Sequence, residues 1–71
     1  MATLAMRLAR GLTQREVAGQ MGVQRPAVSK MERKADMSMG RFTQYVEALG
    51  GRWQIRVRDA AGDVYTAGHD F

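Results

Sequence analysis

A chain of 71 residues and 7.9 kDa makes one domain at most, because two cores would leave each half below the roughly 40 residues at which a cross-link or partner is usually needed. Hydrophobic residues at 45%, charged residues at 25% and a single proline give a globular balance and exclude a disordered, apolar-poor chain. With no cysteine and one histidine, His69, neither a disulfide nor a metal set is available, so self-association is the expected source of extra stability.

The stretch Leu4 to Arg10 places Leu4 and Leu8 one turn apart and is closed by Gly11, which predicts a short first helix. Leu12-Thr13-Gln14-Arg15-Glu16-Val17 then carries two helix-start signals together. Thr13 and Glu16 have capping-box spacing, and Leu12 and Val17 have the spacing of a hydrophobic staple. This second helix is expected to turn Val17, Ala18 and Met21 inward and to end at Gly22, a residue free to take the left-handed conformation of a sharp exit. Only Gly22-Val23-Gln24 separates it from a third helical pattern, Pro26 to Arg33, with Ala27, Val28 and Met31 apolar and Pro26 suited to a first turn. Two short helices joined by a three-residue turn containing glycine form a helix-turn-helix. Phe42, Tyr45, Val46 and Leu49 continue at helical spacing until Gly50-Gly51.

After Gly51 the period drops to two. Trp53, Ile55 and Val57 alternate with Arg52, Gln54, Arg56 and Arg58, describing a strand with one apolar and one basic face. Asp59 to Asp63 reads as a turn and Val64 to Ala67 as a return strand. The predicted fold class is mainly α: four short helices with a helix-turn-helix, plus a C-terminal β-hairpin expected to form a dimer sheet by pairing its first strand with that of a second copy. The division is a single domain over 1–71, with a helix-turn-helix core at 4–50, a hairpin at 51–67 as dimerisation element, and a flexible tail at 68–71.

The formal charge is +4 with a pI near 10.4, and it is unevenly placed. Residues 1–50 hold eight bases against four acids, and residues 51–71 balance three against three. Arginine outnumbers lysine nine to two, and guanidinium suits two-pronged contact with phosphates and guanine edges. Basic composition alone is weak evidence for nucleic acid. Catalysis is not expected. With one histidine, no cysteine, only Ser29 and Ser38 as serines and no phosphate-cradling glycine loop, no nucleophile–base pair, metal set or cofactor site can be assembled. Apolar runs fall short of the roughly 18–20 residues that span a bilayer, and the start lacks a signal-peptide core, so a cytoplasmic protein with no membrane partner is expected.

Residues 12–32 resemble the helix-turn-helix of the Cro/phage-repressor (XRE) family, whose fold is lambda-repressor-like. The resemblance rests on Thr13-Gln14 at the second helix start, Val17-Ala18 inside it, Gly22-Val23 at the turn, and Val28-Ser29 with Glu32 in the recognition helix. The run Tyr45-Val46-Glu47-Ala48-Leu49-Gly50-Gly51, followed by a basic strand, is similar to the HigA-like antitoxin branch of type II toxin–antitoxin systems. The resemblance implies a homodimeric repressor that inserts Pro26 to Arg33 into the major groove of a palindromic operator in double-stranded DNA, silences its own operon and pairs with a cognate toxin.

Matching the family's reading positions gives Arg25, Ser29 and Lys30 as base readers, with Gln24 as an additional contact, and Arg25 suited to guanine O6 and N7. Gln14 matches the residue that grips a phosphate and braces the recognition helix. Arg15 and Arg33 flank it as phosphate partners, and the helix beginning near Arg41 is expected to offer N–H groups to another phosphate. The family's Glu32 position pairs with an arginine of the first helix, here Arg7. Trp53, Ile55 and Val57 are the expected dimer interface, and the opposite face of Arg52, Arg56 and Arg58 reads either as a solvated edge or as an auxiliary contact. Two departures stand out: Pro26 falls where relatives often carry a polar reader, and Lys34 where much of the family has glycine. Relatives also have extra residues before the first helix, so a shortened form is expected. The alternatives to a repressor antitoxin are a toxin-neutralising module that no longer reads DNA and a stand-alone transcription factor.

Overall fold

A computed structural model describes residues 3–34 and 36–70. Four helices, α1 (Thr3–Ala9), α2 (Gln14–Met21), α3 (Arg25–Arg33) and α4 (Met39–Ala48), precede two strands, β1 (Gln54–Arg58) and β2 (Val64–Gly68). Among the described residues no helix is long and apolar enough to cross a membrane.

Each helix boundary has a local cause. Thr13 caps α2 through its side chain, which accepts from the Glu16 N–H at 3.1 Å, while the Glu16 carboxylate accepts from the Thr13 N–H at 2.9 Å. The reciprocal bonds satisfy two of the N–H groups a helix start leaves unpaired. Gly22 closes α2 at φ 70°, the left-handed value that lets the chain reverse into the turn. α3 starts at Arg25, one residue before the expected Pro26, so the proline takes the second helical position, where it still forfeits no hydrogen bond.

α4 differs more. The helix begins at Met39 and not near Arg41, because Ser38 is its N-cap and its Oγ accepts from the Arg41 N–H at 3.1 Å. The Arg41 N–H is therefore already engaged. Lys34 ends α3 in an extended conformation, φ −77° and ψ 137°, which any residue adopts, so this exit does not require a glycine.

The core is Val17, Ala18, Val28, Met31, Tyr45 and Leu49, with Met6, Leu12, Met21 and Met37 packed against it. Val17, Val28 and Tyr45 are fully buried. Burying each such valine contributes about 1.5–3 kcal/mol before entropy is counted. α1 docks by an unexpected face. Leu4 and Leu8, whose spacing marks the helix, are exposed, and the buried side carries Thr3 and Arg7. A charged residue faces inward here because its partner is already inside.

β1 and β2 pair antiparallel with Ile55 opposite Ala67, Val57 opposite Tyr65, and Arg56 opposite Thr66. Residues directly opposite share a face. One face thus carries Ile55, Ala67, Val57 and Tyr65, the other Arg56, Arg58, Thr66 and Val64. The turn is held by Asp59, whose Oδ1 accepts from Ala61 N at 2.9 Å and Asp63 N at 3.0 Å. The expected flexible tail at 68–71 is corrected in its first half. Gly68 lies in β2 and the His69 N–H donates to the Trp53 carbonyl at 2.9 Å, so ladder bonding runs past the point where side-chain alternation fades. Phe71 lies outside the described residues.

Candidate nucleic-acid interface

α3 divides its residues cleanly between two duties. Val28 and Met31 are buried, with Ala27 packed beside them, and the Glu32 side chain also turns inward, which leaves Arg25, Ser29, Lys30 and Arg33 on the outer side. Arg25, Ser29 and Arg33 follow at four-residue spacing and line one outward row, with Lys30 beside it. Arg25, Lys30 and Arg33 are exposed and Ser29 is half-buried. Gln24, the N-cap residue, makes no side-chain cap bond, which leaves its amide available to a ligand.

Two grooves flank this row. One of about 560 Å³ lies between α3 and the start of α4, where Lys30, Lys34, Ser38 and Arg41 meet with Asp36. The other, of about 650 Å³, is formed by α1, α2 and the beginning of α3, with Gln14, Arg15 and Arg25 on its wall. Lys34 was singled out in the sequence only as a departure from a glycine pattern, and the structure adds it to the basic groove.

Beneath the surface a hydrogen-bonded cluster holds α3 to the other three helices. Arg7 of α1 grips Glu32 of α3 through Nε to Oε2 at 2.6 Å and Nη2 to Oε1 at 3.1 Å, and its Nη1 donates to the Leu12 carbonyl at 2.8 Å. The Glu32 side chain is only 3% exposed. Its Oε2 also accepts from the Tyr45 hydroxyl of α4, and its Oε1 from Gln14 Nε2 of α2 at 2.9 Å. The Tyr45 oxygen lies 3.0 Å from the Thr3 carbonyl as well. A two-pronged arginine–carboxylate pair with every remaining acceptor filled is the arrangement that makes a buried charge tolerable.

Titration follows the same geometry. Burial pushes the Glu32 carboxyl up, but the bonds from Arg7, Tyr45 and Gln14 outweigh it and hold the group below its ordinary value. Burial, reinforced by the bond to Glu32, raises the Tyr45 hydroxyl above its ordinary 10.0. The bond to Glu32 raises Arg7, which keeps the pair ionised. Nothing in the spacing of Tyr45 marked its link to Glu32. The periodicity placed it in the core, and only the packing of α4 against α3 brings its hydroxyl to the carboxylate.

Gln14 bridges the buried cluster and the surface row. Its Nε2 faces Glu32 while its Oε1 accepts from Arg25 Nη1 at 3.1 Å, so α2 grips α3 at both ends of one amide. Arg15 and Arg33 are exposed at the margins. Among the described residues no three of His, Cys, Asp and Glu gather as a metal-ligating group.

The residues expected at a subunit contact are in part occupied within the chain. Trp53 Nε1 donates to Glu47 Oε2 at 2.7 Å, and its indole meets the His69 ring edge-on at 5.4 Å. Ile55 is half-buried, and Val57 is 52% exposed beside Tyr65 at 59%. On the opposite face Arg56 and Arg58 are exposed, and Arg52 Nη1 donates to the Asp70 carbonyl at 2.7 Å.

Comparison with known proteins agrees with this architecture. No curated protein matches the chain in sequence. A solved structure described as "DNA bound antitoxin HigA3" is similar over 96% of this chain and 87% of that one, with a TM-score of 0.75 and 31% identity. A family model described as a helix-turn-helix domain matches residues 2–58. That match takes in all four helices and the whole of β1, and with it the chain belongs to the helix-turn-helix domain family.

Proposed function

We propose that the protein is a sequence-specific DNA-binding repressor of the antitoxin type, which reads a palindromic operator as a homodimer and controls its own operon. The observation that carries this reading is the outward row of α3, with Arg25, Ser29, Lys30 and Arg33 standing on a helix whose opposite side is locked by the Arg7–Glu32 pair. A single α-helix fits the major groove, and residues early in a recognition helix face base edges. Arg25 and Lys30 are suited to guanine O6 and N7, Ser29 to either base of a pair, and Gln24 to adenine. Gln14, Arg15, Arg33 and Arg41 would meet phosphates and set the register. The likeness to an antitoxin solved on DNA supports the same assignment, and a cognate toxin as partner is part of the proposal.

Two-fold symmetry of the operator requires two copies, and the face with Ile55, Val57 and Tyr65 is the surface we assign to their contact. A lone hairpin is marginal in water, and a second copy would cover that face. Trp53 would contribute from its edge, since its indole N–H is bound to Glu47.

Selection of duplexes from a random pool by the purified protein, followed by anisotropy titration of the recovered site, tests the reading. Arg25→Ala combined with Lys30→Ala should abolish preference for that site over a scrambled duplex. Affinity should also fall with salt at a log–log slope of about −0.9 for each phosphate contacted. A double variant that keeps full preference would remove α3 from its assigned role.

A further inference from the structure

Arg25 is the side chain best suited to read a guanine, yet it is long, exposed and joined to its own helix by one flexible stem. What fixes it is Gln14, and what fixes Gln14 is Glu32. Resting on the DNA-reading assignment above, we infer that Glu32 and Tyr45, neither of which reaches the surface row, act as positioning residues that set the aim of Arg25 through the amide of Gln14.

An ionised carboxylate only accepts. Glu32 Oε1 therefore demands the NH2 side of the Gln14 amide, found 2.9 Å away, and the carbonyl side must then point to α3, where it accepts from Arg25 Nη1 at 3.1 Å. Had Glu32 been a group able to donate, the amide could turn over and present N–H groups to a guanidinium, which has no acceptor. The carboxylate itself is clamped so that it cannot rotate away. Arg7 holds both oxygens from one side, and the Tyr45 hydroxyl donates to Oε2 from α4. The Arg7–Glu32 pair alone would serve stability. The continuous path from Tyr45 through Glu32 and Gln14 to Arg25 adds preorganisation, which lowers the ordering cost when the arginine meets a base. One nitrogen of the guanidinium is spent on Gln14, and the remaining N–H groups stay free for a base edge.

The test uses the full chain and the duplex it selects. For each variant the readout is the ratio of affinities for the selected site and for the same site with the Arg25-contacted base pair replaced. A ratio is insensitive to the fraction of protein that is folded, so loss of stability alone leaves it unchanged. Wild type should discriminate about 5- to 150-fold at that pair, the range for a two-pronged arginine–guanine contact. Tyr45→Phe, which keeps the ring and deletes the hydroxyl, should lower the ratio about threefold or more. Glu32→Gln should lower it further. In an Arg25→Ala background both changes should leave the residual ratio where it is.

The outcomes separate. If wild type shows no preference for any duplex, the DNA-reading assignment itself fails. If wild type discriminates and Arg25→Ala flattens one base pair, yet Tyr45→Phe and Glu32→Gln keep the full ratio there, DNA reading stands and the positioning path is overturned. If Arg25→Ala flattens nothing, Arg25 is not a reader and the path has nothing to aim.

Discussion

The helical half and the hairpin solve the same problem in opposite ways. In the helices every element is tied to another by hydrogen bonds, most of them at buried groups: α1 to α3 through Arg7 and Glu32, α2 to α3 through Gln14 and Glu32, α4 to α1 and α3 through Tyr45, and α1 to the end of α4 through the exposed Arg10, Nε to the Leu49 carbonyl at 3.2 Å. The hairpin has its own ladder and a join at Trp53, but every residue of β2 is exposed, and the molecule is drawn out to 44 × 25 × 21 Å. The helical half therefore owes its stability to contacts within one chain, while the hairpin holds apolar surface that only another surface can cover. A small domain that needs an outside contribution to its stability carries that need in one place.

The largest effect should come from stranding a charge in the helical half. Glu32→Ala removes the carboxylate and leaves Arg7, whose side chain is 10% exposed, without its counter-ion. The cost should be about 3–5 kcal/mol, a large share of the roughly 4–10 kcal/mol such a chain holds in all. Urea unfolding followed by far-ultraviolet circular dichroism measures it directly. The same cluster sets the pH limits. Glu32 has a folded-state value below its ordinary 4.5, so its contribution is present above 4.5 and drains away as pH falls through the lower value. Tyr45 has a folded-state value above its ordinary 10.0, so its contribution is present below 10.0 and drains away as pH rises beyond it. Tyr45→Phe should remove the alkaline loss and weaken the acid one only in part, since Arg7 and Gln14 still hold Glu32 low, and a melting series on both sides of neutrality would expose any other order.

A pair of valine changes sharpens the contrast at smaller scale. Val28 is fully buried and Val57 is 52% exposed. Val28→Ala should lower stability by about 2 kcal/mol through lost burial and a partly unfilled cavity, at any protein concentration. Val57→Ser should leave a single copy nearly as stable while shifting the sedimentation profile toward the lone chain, since its neighbours Ile55 and Tyr65 belong to the proposed subunit contact. Equal thermal shifts from the two changes would mean that the hairpin face is already packed within one chain.

The parts of the molecule governed by neighbours in sequence were legible there. Thr13 and Glu16 lie three residues apart, and so does everything their capping box needs. Gly22 and Pro26 likewise report local backbone requirements. Ser38 carries no signal of its cap in the sequence, because position 41 is an arginine and completes no capping box, and the pattern of Phe42, Tyr45 and Leu49 places the boundary further inward. The hidden side of α1 was illegible for a different reason. Leu4 and Leu8 have the right spacing and hydrophobicity, but the partner surface offers Glu32, which makes Arg7 the better inward residue. At the site, helical periodicity turned Ala27, Val28 and Met31 inward, while the resemblance to XRE proteins supplied the reading positions Arg25, Ser29 and Lys30, and with them Gln14 and the Arg7–Glu32 pair. The tie from Tyr45 to Glu32 spans two helices and a loop, and no local pattern encodes it.

The smallest effects concern the local devices at the margins of each half, and they should still tell the halves apart. Thr13→Ala removes the cap of α2, and because α2 packs against both α3 and α4 its fraying is felt by the whole core. A loss of about 1 kcal/mol in global stability is expected. Asp59→Ala removes the two bonds that close the hairpin turn, to Ala61 N and Asp63 N. Since the turn lies away from the core, that loss should appear as faster amide exchange over residues 59–65 with the melting midpoint of the helices in place. Were Asp59→Ala instead to lower the helical midpoint as much as Thr13→Ala does, the hairpin would have to unfold together with the helices as one cooperative unit.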